Sequence, residues 1–257
     1  MTERLAPEQH DSLPDIPEPA ENPFLVGHGV AADMLSAAYR SDKLHHALLL
    51  TGPKGIGKAT FAFHLAHHLL KHPKSTDAPA TFETPDMGSS LSRQIASGAH
   101  RSVLHLTRPY DEKSKKFRTD VTVDEIRRVS RFLSMRSHDD SYRIVIVDPA
   151  DDMNRNAANA LLKNLEEPPA RAIFILISHA PGGLLPTIRS RCQMLRMAPL
   201  GVDDLDAVLR SLGSGLPAEP AARAALAARA GGSARQAILL ADYGGFEIMQ
   251  AADTYLA

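Results

Sequence analysis

Tryptophan is absent from this 257-residue chain, and cysteine occurs once, as Cys192. A lone thiol forms no internal disulfide, which fits a reducing compartment. Aromatic residues make up only 5% of the sequence, which weakens any reading in which they stack on bases. Neither charge is in excess: 29 Lys and Arg stand against 30 Asp and Glu, so any contact with nucleic acid has to come from a local patch. No apolar run approaches the roughly 18 to 20 residues of a membrane span, and the N-terminus has no apolar signal-peptide core. These absences point to a soluble, cytoplasmic protein, and the length suits one large domain with a smaller one.

What is present begins with an acidic, proline-rich stretch, residues 1–22, that has no apolar period and is expected to be disordered. Val30, Ala31, Met34, Leu35 and Ala38 then recur at helical spacing, and the run 47–50 is short enough for a buried strand. A glycine-rich turn, 52–57, leads into a second helical pattern over 59–71. Beyond an irregular stretch, Leu91 to Ser97 suits a short helix and Val103 to Leu106 a strand. Ile126, Val129, Phe132 and Leu133 mark an amphipathic helix, RIVIV (143–147) a buried strand, Ala157 to Leu165 a helix stopped by Pro168-Pro169, and IFILI (173–177) another strand. Strands buried on both faces and alternating with helices imply an α/β fold with a parallel sheet covered on both sides over residues 23–198. From Leu200 only helical periods follow, which predicts a small all-α lid domain over 199–257.

The chemistry centres on LLLTGPKGIGKAT, residues 48–60. It fits G-x-x-x-x-G-K between a strand and a helix. In that setting backbone N–H groups around Gly52, Gly55 and Gly57 converge on phosphate oxygens, and Lys58 supplies a point charge. A glycine turn that only packs strand against helix is the plainer alternative. Hydrolysis asks for more, because magnesium needs a loop hydroxyl and an acid ending a nearby strand. Ala59 occupies the hydroxyl position, with Thr60 about 100° further round the helix. Asp148 ends RIVIV where the acid belongs, but Pro149 follows it in place of a glutamate. Asp151 and Asp152 read as an acidic helix start. His64, His67, His68 and His72 share a helix with no acids or thiols beside them, so a solvated face is favoured over a metal site. Lys113, Lys115, Lys116, Arg118, Arg127 and Arg128 could meet DNA phosphates or simply face solvent.

Three segments carry a family resemblance: residues 27–59, ANALLKNLEEPPARAIFILIS and LLPTIRSRCQMLRMAPL. Together they resemble the clamp-loader branch of the AAA+ ATPases, in particular the delta-prime subunits of bacterial DNA polymerase III, over about residues 23–243. The resemblance implies an AAA+ P-loop sheet followed by a helical lid. It implies a structural and regulatory clamp-loader subunit with little or no hydrolysis of its own, partnered by gamma/tau and delta and, through the complex, by the sliding clamp and primer-template DNA. An active gamma/tau-type ATPase is the alternative, and an unrelated P-loop phosphotransferase or nucleic-acid adaptor is a third class.

The resemblance also assigns roles. Arg191, in the S-R-C triplet 190–192, becomes the candidate arginine finger for a neighbouring subunit's ATP site. Arg235 falls where the lid contacts bound phosphates. Gly52, Gly55, Gly57, Lys58, Thr60, Asp148 and Arg235 form a degenerate nucleotide site for ATP or ADP held weakly if at all. A surface salt bridge and an exposed helix-start arginine are the plainer readings of Arg191 and Arg235. The four-cysteine zinc module common in the family is missing, because residues 71–100 contain no cysteine, so no bound zinc is expected. The family's helical collar would begin near where this chain ends and is expected to be absent from it.

Overall fold

A computed structural model describes residues 4–135, 141–213 and 219–242. Its centre is a five-stranded sheet in the order β2-β5-β6-β1-β7, with every neighbouring pair parallel. The strands are β1 (Ala47–Thr51), β2 (Val103–Leu106), β5 (Arg143–Val147), β6 (Ala172–Ser178) and β7 (Gln193–Arg196); β3 (Tyr110–Asp111) and β4 (Lys116–Phe117) form a separate small hairpin. The helices are α1 (Gly29–Arg40), α2 (Lys58–Lys71), α3 (Ser90–Ala96), α4 (Val123–Ser134), α5 (Arg155–Glu166), α6 (Pro186–Arg189), α7 (Val202–Ser211), α8 (Pro220–Ala230) and α9 (Ala234–Asp242).

Side chains alternate across each strand, and that alternation builds two cores. Leu48, Leu50, Ile144, Ile146, Ile173, Ile175 and Ile177 face α1 and α2. Leu49, Val145, Val147, Phe174 and Leu176 face α4 and α5, where they meet Ile126, Val129, Leu161 and Leu165. Burial on both faces explains why the central strands read as unbroken apolar runs, as the parallel-sheet expectation requires. Each fully buried Leu, Ile or Phe contributes roughly 1.5 to 3 kcal/mol. Asn154 caps α5 by accepting from the Ala157 N–H, and Ser89 caps α3 by accepting from Ser92.

The last three helices pack on one another through Leu205, Leu209, Leu226, Ala237 and Ile238. The third helical period read in the sequence reaches Tyr243, and residues 243–257 of the expected lid lie outside the described residues. Among the described residues no helix is long and apolar enough to cross a membrane.

Several expectations are corrected. The helix α1 forms where read, but its buried stripe is Ala32, Leu35, Ser36 and Tyr39, while Val30 and Met34 are exposed. The histidines of α2 are not solvated: His64, His67 and His68 are all at least 95% buried. The segment after α2 folds back over that face, with Ala78, Phe82 and Ile95 against the same core, so α2 has no open side. His64 Nε2 sits 3.0 Å from the Asn22 carbonyl, and burial pushes His67 and His68 down to about 4.

Residues 4–22, expected to lack fixed structure, follow a defined course. Arg4 donates to the carbonyls of Leu13 and Ile16, each at 2.9 Å, and Glu21 accepts from the N–H groups of Leu5 and Ala6. Leu13 and Ile16 pack on the C-terminal helices, and Ala20 and Leu25 on the sheet core. Two apolar anchors and two charged side chains that satisfy backbone groups give this stretch the contacts its overall composition conceals.

Candidate functional site

The carboxyl ends of three parallel strands converge on one place. The loop 52–57 leaves β1, Asp148 leaves β5, and Ser178 closes β6, so the site lies at the strand ends where open α/β sheets bind ligands. The cleft there has a volume of about 620 Å³ and is lined by Gly55, Gly57, Lys58, Thr60, Asp148 and Arg235 among others. Six of the seven residues assigned to a nucleotide site thus line one cleft, and the seventh, Gly52, lies outside the lining and accepts from the Lys58 ammonium.

The loop geometry depends on glycine at two points. Gly52 has φ of 149°, and a Cβ there would lie 2.4 Å from the Met197 carbonyl oxygen. Gly55 has φ of 80°, and a Cβ would meet the Arg235 Cβ and the Ser233 Oγ at 2.5 Å each. The loop is therefore docked onto the start of α9, where Ser233 Oγ donates to the Lys54 carbonyl at 2.8 Å, and also onto the start of α1, where His28 Nε2 sits 2.6 Å from the Ile56 carbonyl.

Lys58 is buried, and its ammonium turns onto the loop itself, donating to the Gly52 carbonyl at 2.7 Å and to the Pro53 carbonyl. Burial pulls it down to about 8, partly offset by Asp148 and Asp151. Asp148 is pushed up to about 7 by burial and by the Asp11 carboxylate, against the pull of Lys58. Gly55, Gly57 and Lys58 line the cleft, residue types that suit a phosphate. The magnesium donor set is incomplete, since Ala59 has no hydroxyl to offer beside the Asp148 carboxylate.

Asp151 and Asp152 hold the architecture. Asp151 accepts from Ser178 Oγ at 2.6 Å and from the His179 N–H, while Asp152 forms a bidentate pair with Arg108 at 2.5 and 2.9 Å. Both therefore serve loop structure, and they complete a 3-10 turn, Ala150–Asp152, rather than starting a longer helix. Burial pushes His179, another lining residue, down to about 4.

Arg191 stands apart. It follows α6 and precedes β7, donates to the Thr187 carbonyl at 3.0 Å, and pairs with Glu166 at 2.7 Å. Because β1 and β7 run parallel with Leu48 beside Gln193, Arg191 lies at the amino end of the sheet and the glycine loop at its carboxyl end. A five-residue strand separates them by about 17 Å. Its surroundings are a second concavity lined by His45, His46, Leu165, Glu166, Ser190, Cys192 and Gln193.

The basic residues of the hairpin and α4 are largely matched by their own acids: Lys115 by Glu112, Arg118 by Asp111, Arg127 by Asp124 and Arg128 by Glu125. Residues that the motif reading missed are Asp11, Lys54, Ser178 and Ser233. Lys54 was visible within the loop; Asp11 carried no signal in the sequence.

A family model described as DNA polymerase III, delta subunit, matches residues 27–201. The DNA polymerase III subunit delta' of Pseudomonas aeruginosa is 38% identical over 190 residues, covering 73% of this chain and 53% of that protein. That of Bacillus subtilis is 36% identical over 167 residues, covering 65% of this chain and 46% of its own length. The DNA polymerase III subunit tau of Escherichia coli is 27% identical over 220 residues, 85% of this chain and 32% of that one. The chain thus spans about half the length of the delta-prime relatives. Among solved structures, a variant of Thermotoga maritima RuvB has a TM-score of 0.50 at 18% identity, covering 88% of this chain and 65% of that one, which supports an AAA+-like α/β fold. With the family model spanning both the glycine loop and Arg191, the chain belongs to the DNA polymerase III delta-subunit family.

Proposed function

We propose that this chain is a delta-prime-like structural and regulatory subunit of a DNA polymerase III clamp loader. Its α/β unit, residues 23–198, and a helical lid beginning at 199 are held by gamma/tau and delta neighbours, and it reaches the sliding clamp and primer-template DNA through them. Its own nucleotide site turns over little or no ATP. The observation that carries this reading is the separation of Arg191 from its own glycine loop by the length of the sheet. An arginine at the amino edge cannot serve the phosphates at the carboxyl edge of the same chain, but its partly accessible guanidinium can serve a neighbour's.

The chemistry follows from that division. At the chain's own site, Lys58 and the loop N–H groups retain a place for phosphate, while the metal lacks a hydroxyl ligand and the attacking water lacks a base at 149. At the other edge, the Arg191 guanidinium is planar, always charged and able to bridge two phosphate oxygens. Glu166 and the Thr187 carbonyl hold it until a phosphate replaces them.

The test has two arms. The purified chain is assayed for steady-state ATP turnover beside its Lys58→Ala variant, and tagged full-length protein is used to capture gamma/tau and delta. Background turnover that Lys58→Ala leaves unchanged, with capture of both partners, is expected. Turnover that Lys58→Ala abolishes would favour an active gamma/tau-type ATPase, and failure to capture either partner would refute the clamp-loader reading.

A further inference from the structure

Residues 6–18 precede the stretch that the family model matches and form one wall of the nucleotide cleft. The contacts are specific. The Asp11 carboxylate lies 2.9 Å from the Lys54 ammonium and 3.9 Å from Nη1 of Arg235, which also donates to the Asp11 carbonyl at 2.5 Å. These are a cation of the glycine loop and a cation at the start of α9, the two sides between which a phosphate would sit. A carboxylate is an acceptor-only anion with the same demand for such donors.

The segment is also anchored well away from Asp11. Leu13 and Ile16 pack with the core of the C-terminal helices, and Ala6 and Glu18 are buried. Ser12 Oγ donates to Glu18 and accepts from the Gln9 N–H at 2.7 Å, while Arg4 ties the Leu13 and Ile16 carbonyls together. Apolar anchors, internal hydrogen bonds and an anion on the loop's cations together describe a strap across the cleft.

We propose that residues 6–18 are an intramolecular plug that competes with nucleotide phosphate for Lys54 and Arg235, so that the cleft accepts a nucleoside diphosphate or triphosphate only when the strap lifts. The proposal rests on reading 52–58 as a phosphate cradle. It goes beyond that reading by identifying what keeps the cradle closed. The Lys58 ammonium is turned onto the Gly52 and Pro53 carbonyls and would have to leave them to meet a phosphate. A ligand bound only to the open state would see its affinity reduced by the fraction of molecules that are open.

Hydrogen–deuterium exchange on the full-length chain, with and without ADP, is combined with equilibrium binding of ADP. The variants are Asp11→Asn, the pair Leu13→Ser/Ile16→Ser, and that pair combined with Lys58→Ala. Amides of 6–18 are expected to be protected in the chain alone and to lose protection with ADP. The serine pair should raise ADP affinity at least tenfold and Asp11→Asn several-fold, and Lys58→Ala should remove the gain. Exchange of 6–18 at random-coil rates in the unaltered protein would overturn the plug whatever the nucleotide result. Equal ADP affinity in the unaltered protein and in both strap variants would overturn it while leaving the cradle standing. Protected amides with no ADP binding in any variant would overturn plug and cradle together. If the serine pair fails to fold by circular dichroism, Asp11→Asn decides the same question alone.

Discussion

His68→Phe should flatten the acid sensitivity of this protein. The imidazole of His68 is 2% exposed, lies edge-on to Tyr39 at 5.9 Å and tilted against Phe82 at 5.1 Å, and neither ring nitrogen has a hydrogen-bond partner among the described residues. Burial, assisted by His72 and opposed by Glu83, pushes it down to about 4 from an unfolded value of 6.5. The folded chain therefore binds this proton more weakly than the unfolded chain does. Its contribution to stability is complete above pH 6.5 and is lost as pH falls toward 4. At pH 5.0 the linkage relation puts the loss at about 2 kcal/mol relative to pH 7.5. Phenylalanine keeps a ring of similar size and carries no proton. Urea unfolding followed by circular dichroism at the two pH values gives the test, and the variant should lose about 2 kcal/mol less than the unaltered protein. His67 titrates in the same direction and Asp148 in the opposite one, but both are common to the two proteins and cancel in the difference. Equal losses would mean that His68 is accessible to protons in the folded state and that the covering of α2 by residues 78–95 is wrong.

Gly55→Ala should destabilise the protein by roughly 2 to 3 kcal/mol in urea unfolding, of which about 1 to 2 comes from a left-handed alanine and about 1 from the Ser233 to Lys54 hydrogen bond that the new methyl displaces. A change under 0.5 kcal/mol would show that the loop is not docked on α9. Cys192 is pushed up to about 11 by burial, so at pH 7.5 its reaction with an aromatic disulfide reagent should be roughly two orders of magnitude slower than that of free cysteine. A rate equal to that of the free amino acid would place the thiol at the surface.

The legible part of the fold is the part that burial on two faces writes into single residues. Past the half-buried Arg143 that opens the first, RIVIV and IFILI have no polar position because helices cover both sides, and each lies within its strand or coincides with it. The edge strand β7, QMLR, is mostly exposed and gives no such run, so it was invisible. The face of α1 was misjudged because its inward stripe includes Ser36 and Tyr39, while Val30 and Met34 point outward. The histidines of α2 were misjudged because periodicity reports one packed face and says nothing of a second layer laid over the other. At the candidate site, residues adjacent in sequence, such as Gly55, Gly57 and Lys58, announced themselves. Asp11 meets Lys54 and Arg235 across long stretches of chain, and only the fold brings those three together.

The most direct measurement of the account is ATP turnover and clamp loading by a reconstituted clamp loader carrying Arg191→Ala, after gel filtration shows that the complex still assembles. An arginine that meets the charge developing on a transferring phosphate is worth about 10³ to 10⁵ at its own site. A complex with several sites averages over them, so the predicted result is a clear fall in clamp- and DNA-stimulated turnover, smaller than that factor, with no change in the chain's own background rate. Unchanged turnover and loading in an intact complex would contradict the account and leave Arg191 as the partner of Glu166 and nothing more.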